Sequence, residues 1–94
     1  MAVAIIMDFP GGTLEQYDEV IEKMGLEPGG DTPDGAFFHW VTQTPEGLRV
    51  VDVWEKQEEF DRFAQEQIGP YTQEAGMQAP QMTVHEVHNH FIAS

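Results

Sequence analysis

At the start of the chain Val3, Ile5 and Met7 alternate with Ala4 and Ile6, so apolar side chains project from both faces of one strand. Phe9-Pro10-Gly11-Gly12 breaks the pattern, and Thr13 followed three residues later by Gln16 has the spacing of a capping box. Leu14, Tyr17, Val20, Ile21 and Met24 then recur at helical spacing, with Glu15, Asp18, Glu19 and Glu22 on the opposite side. Gly25 predicts the end of that helix. From Glu27 to Gly35 the residues are those of a loop, long enough to cover a site as well as to connect. Ala36 to Gln43 is aromatic and β-branched, Thr44-Pro45-Glu46-Gly47 is turn chemistry, and Leu48 to Glu55 is a further strand, which together predict a hairpin.

Lys56 to Ile68 returns to a helical period, with Phe60, Phe63, Ala64 and Ile68 on one stripe. Gly69-Pro70 is expected to interrupt this helix, with one more turn over Tyr71 to Ala75. Pro80 opens a last strand, expected over Gln81 to His88. The order β-α-β-β-α-β predicts a single α+β, ferredoxin-like domain over residues 1–94. Its four-stranded antiparallel sheet would carry two helices on one face. Strands one to three are apolar on both sides, and no chain is left to cover the second face. A second copy of the sheet is the economical cover, which predicts a homodimer.

Charge narrows the partners. The chain has 17 acidic and 4 basic residues, a formal net charge of −13, and no cysteine. Such a chain has no basic surface for a phosphate backbone, so nucleic acid is not an expected partner. No apolar run approaches the ~18 residues of a membrane span. The first seven residues are too short an apolar stretch for a signal peptide, and a cytoplasmic location is expected. Most acids fall on the outward sides of the two helices, the pattern of a solvated surface.

The segment Val51-Asp52-Val53-Trp54-Glu55-Lys56-Gln57-Glu58-Glu59-Phe60-Asp61-Arg62-Phe63 ends a strand on tryptophan, then opens a helix with acids and an aromatic anchor. In this it resembles the dimeric α/β barrel superfamily, and within it the antibiotic-biosynthesis-monooxygenase-like domains. The resemblance implies a homodimer in which two sheets form a barrel. It also implies a range of chemistry: cofactor-free monooxygenases, isomerases and cyclases all use the fold. Many members carry a histidine on the second helix where this chain places Phe63, so a helix-borne haem ligand is not implied. No cofactor is expected.

The hairpin concentrates the chemistry. With a two- or four-residue loop, Gln43 faces Leu48, Val41 faces Val50, His39 faces Asp52 and Phe37 faces Trp54, all on one side of the sheet. An imidazole and a carboxylate then have Cβ atoms about 5 Å apart. The acid fixes the tautomer of the base, and apolar neighbours would hold a flat hydrophobic or aromatic molecule. His39 and Asp52 are therefore the candidate catalytic residues, with Phe37, Trp54, Tyr17 and Tyr71 as candidate substrate contacts. The same His–Asp pair is also a common way of satisfying polar groups in a sheet. Trp40, Phe38, Val51 and Val53 share the other face, and either face can meet the helices.

The tail His85-Glu86-Val87-His88-Asn89-His90 has metal-binding residue types, but strand alternation points His85 away from His88 and His90, and no metal site is expected. Gly11-Gly12 and Gly29-Gly30 lack the setting of a nucleotide loop. Two functions follow. One is an enzyme of secondary or aromatic metabolism, a cofactor-free monooxygenase or an isomerase/cyclase with His39 as acid/base. The other is a non-catalytic ligand-binding or interaction protein. A cavity of several hundred Å³ touching His39 favours the first, and a close-packed interior the second.

Overall fold

The computed structural model describes residues 1–92. Strand β1 (Val3–Pro10) leads to α1 (Leu14–Met24), then β2 (Ala36–Thr44) and β3 (Gly47–Trp54). A helical run follows as α2 (Gln57–Phe63), a π-helical turn over Ala64–Ile68, and α3 (Gly69–Glu74), before β4 (Gln81–Glu86). The sheet is antiparallel throughout, in the order β2-β3-β1-β4. This is the β-α-β-β-α-β arrangement of the ferredoxin-like fold.

Local sequence accounts for the element ends. Thr13 accepts from the Gln16 amide at 3.1 Å while the Gln16 side chain accepts from the Thr13 amide at 3.1 Å, closing the capping box of α1. Gly25 ends α1 in the left-handed region at φ 77°, where its amide donates to the Glu22 carbonyl. Gly47, at φ 150°, starts β3 so close to β1 that an added Cβ would lie 2.1 Å from the Phe9 carbonyl oxygen. Only glycine fits this contact, so the hairpin register and the β1–β3 pairing are fixed by one position.

The face of the sheet that meets the helices carries Val3, Ile5, Met7, Phe9, Leu48, Val50 and Trp54, all buried. Phe60 of α2 completes this cluster, and Tyr17, Phe63 and Ile68 pack against it. Burying a side chain such as Phe60 or Ile5 contributes about 2 kcal/mol relative to leaving it in water. The opposite face, with Ile6, Val51 and Val53 partly covered, leaves Phe38 53% and Trp40 41% exposed.

The structure departs from the sequence reading in three places. Gly69-Pro70 does not stop the second helix. Proline has no amide to donate, and the run widens to a π turn in which the Gly69 amide reaches back five residues to the Ala64 carbonyl. The last strand ends at Glu86 rather than His88. The third departure, in β2, bears on the site.

Candidate functional site

Counting back from the hairpin, the partners are Gln43 with Leu48, Val41 with Val50 and His39 with Asp52. Two residues beyond His39 the ladder slips. Ala36, not Phe37, stands opposite Trp54, and Phe37 is the extra residue of a bulge. The slip lets the Gly35 carbonyl accept from the Glu55 amide at 2.8 Å and the Ala36 amide donate to the Pro33 carbonyl at 3.0 Å. Phe37, out of the ladder, stacks on His90, ring centroids 5.2 Å apart. Its expected place opposite Trp54 is corrected.

Asp52 lies only 5% exposed beneath the helices, and each carboxylate oxygen has a donor. His39 Nδ1–H donates to Oδ1 at 2.5 Å, and Trp54 Nε1–H donates to Oδ2 at 3.1 Å. With Nδ1 so engaged, His39 Nε2 is the free acceptor, and the Tyr17 hydroxyl of α1 donates to it. The Tyr17 and His39 rings stack with centroids 5.9 Å apart and planes 9° apart. Tyr17, His39, Asp52 and Trp54 thus form one chain of hydrogen bonds from helix to sheet. Burial, and then the nearby charges of Asp52 and Asp18, push the Tyr17 hydroxyl up to about 12. At neutral pH it is a proton-bearing group.

This chain lies on the wall of a cavity of about 600 Å³ between sheet and helices. Met7 and Val50 of the sheet, Val20 and Met24 of α1, and Phe63 and Ile68 of the second helical run are among its apolar walls. Leu26 to Pro33 closes one side, so the connecting loop does border the site. Trp54 also reaches the cavity, whereas Phe37 and Tyr71 do not line it. For Tyr71 the π turn supplies the reason. One additional residue in a turn rotates everything after it by about 100°. Thr72 is the residue α3 buries and presents to the cavity in its place.

Two features of the site escaped the pattern reading. The Trp54–Asp52 hydrogen bond has a visible signal, since the residues are two apart on one strand face and indole is an obligatory donor. The Tyr17–His39 bond has none, because it depends on where α1 lies across the sheet. The histidine tail gathers nothing: among the described residues no three His, Asp or Glu side chains surround a common point. No helix of the described residues is long and apolar enough to cross a membrane.

The architecture has close counterparts. A crystal structure of a candidate antibiotic biosynthesis monooxygenase from Chloroflexus aurantiacus J-10-fl superposes with a TM-score of 0.60 at 19% identity, covering 99% of this chain and 100% of that one. A second, from Deinococcus radiodurans, gives 0.60 at 10% identity, covering 100% of this chain and 99% of that one. No family model and no curated protein matches the sequence. The likeness is therefore one of fold, and it extends over the whole ferredoxin-like architecture.

Proposed function

We propose that this protein is an acid–base enzyme acting on a small hydrophobic or aromatic molecule, with His39 as the base and Asp52 as the group that orients it. The observation that carries this reading is the unbroken Tyr17–His39–Asp52 hydrogen-bonded chain on the wall of a 600 Å³ apolar cavity. Nucleophile-to-base and base-to-orienter contacts in series are the arrangement that moves a proton in one direction.

In this mechanism an activated C–H of the substrate gives its proton to the Tyr17 oxygen as the Tyr17 proton passes to His39 Nε2. Asp52 faces the imidazolium that forms, and Trp54 holds the far carboxylate oxygen so that the near one stays aimed at Nδ1. Apolar walls limit water and leave the carbanion to react. Capture of dioxygen makes the enzyme a monooxygenase, the activity named for the two structural neighbours. Rearrangement makes it an isomerase or cyclase. Proton abstraction by this chain needs no cofactor. Trp54 serves as both wall and hydrogen-bond donor.

The functional unit in this reading is a homodimer. Phe38 and Trp40, exposed beside Ile6, Val51 and Val53, form an apolar sheet face that a second copy would cover.

Proton exchange in D2O tests the chemistry without knowledge of the natural substrate. With 2-tetralone, a flat ketone with acidic C–H groups, the protein should accelerate loss of the α-proton NMR signal above the buffer rate. His39→Gln should return it to that rate. Binding of 2-tetralone with exchange at the buffer rate would instead identify a non-catalytic ligand-binding protein.

A further inference from the structure

The cavity has a sign. Four acidic residues border it: buried Asp52 at the sheet, and the exposed Asp18, Glu27 and Asp31 on α1 and the loop that follows. None of the four basic side chains of the sequence is among its lining residues. Lys23 is held outside by Glu74 at 2.6 Å and Glu19 at 3.6 Å, and Arg49 by Asp8 at 2.8 Å. An anion entering would lose its hydration among apolar walls, meet acidic residues, and find no lysine or arginine to replace the water, the one imidazole, His39, being already engaged by Asp52 and Tyr17.

From this we infer that the site takes uncharged molecules and rejects anions, the carboxylates of the loop side acting as the filter. Resting on the acid–base reading, this narrows the substrate class. The molecule is an uncharged, largely apolar compound with its polarity at the end that reaches Tyr17 and His39. Carboxylated and phosphorylated relatives are excluded by charge, not by size. With its proton given to His39, the Tyr17 oxygen can accept from a neutral hydroxyl without either group changing charge on binding.

A matched pair of probes tests this by calorimetry: methyl 2-naphthoate, uncharged, against 2-naphthoate, its anion, at low salt. The ester should bind and the carboxylate should bind at least about tenfold more weakly. The gap should narrow in added salt and in the triple variant Asp18→Asn, Glu27→Gln, Asp31→Asn, checked for native circular dichroism. Carboxylate binding equal to that of the ester, absence of ester binding, or a gap unchanged in the triple variant would each overturn the inference. The same titrations on His39→Gln separate the two proposals. Selectivity retained without 2-tetralone exchange in the wild type would sink the acid–base reading alone. Exchange retained without selectivity would sink this one alone.

Discussion

His39 on β2 and Asp52 on β3 stand directly opposite in the antiparallel ladder, with Nδ1 and Oδ1 2.5 Å apart. Their pairing is a matter of arithmetic from the turn, and Gly47 protects that arithmetic. A shift of β2 by one residue would send His39 to the uncovered face, away from Asp52.

Gly47→Ala should therefore be among the most damaging single substitutions in the chain. The new methyl would overlap the Phe9 carbonyl, and relief requires β1 and β3 to part. Gly25→Ala, with open space around it, should cost about 1 kcal/mol for its positive φ alone. Urea melts of the two variants should differ severalfold in lost stability. Equal losses would contradict the close approach.

Asp52→Asn leaves two donors facing a group that is itself half donor. One of the His39 and Trp54 hydrogen bonds must fail, at a cost of about 1–3 kcal/mol in a buried setting. Nitrogen-15 NMR of the imidazole should show His39 as the Nδ1–H tautomer in the wild type and a mixture in the variant. Exchange of 2-tetralone protons should fall by about a hundredfold. An unchanged tautomer would show that Asp52 does not orient the ring.

Tyr17→Phe keeps the ring stack and removes the hydroxyl. Folded Tyr17 holds its proton up to about 12, whereas the unfolded chain releases it near 10.0. Its contribution to stability is thus fully present below pH 10 and fades as pH rises toward 12. Urea melts between pH 9 and 11.5 should show a decline in the wild type that exceeds the decline in Tyr17→Phe. Parallel declines would mean that the hydroxyl is no more protected in the fold than in the unfolded chain.

The apolar open face predicts a particle of about twice 10.6 kDa by light scattering. Trp40→Glu places a charge on that face and should shift the particle toward the monomer mass with its circular dichroism intact. A wild-type monomer at micromolar concentration would remove the dimer proposal and leave the ferredoxin-like fold standing.

Self-repulsion from a net charge of −13 should make the protein salt-sensitive. Raising salt from low values to about 0.15 M, where the Debye length is about 8 Å, should lift the melting temperature by a few degrees. A flat response would indicate that the acids are compensated in ways the two ion-paired bases, Lys23 and Arg49, do not account for.

What the sequence made legible divides by range. Elements, their order and the His39–Asp52 register follow from alternation and turn chemistry, which act over a few residues. The bulge at Phe37 is hidden because its reward, hydrogen bonds from the Glu55 amide to the Gly35 carbonyl and from the Ala36 amide to the Pro33 carbonyl, lies in the loop rather than in the strand pattern. The position of Tyr71 outside the cavity lining is not legible because the π turn is a response to Pro70 and to packing, neither of which changes the apolar period before it. The helical period turns Tyr17 toward a pocket but carries no sign of its bond to His39, since helix placement across a sheet is set by the packed core.

The hydrogen-bonded chain is complete by residue 54: Tyr17, His39, Asp52 and Trp54 all precede the second helical run. That run and the segment after it contribute Phe63, Ile68, Thr72 and Met77 to the cavity as wall. The first part of the chain thus supplies both hydrogen-bonded groups and wall, whereas the later part supplies wall alone. Exchange of size or shape at those four later positions should reset which molecule fits while the hydrogen-bonded chain stays as it is.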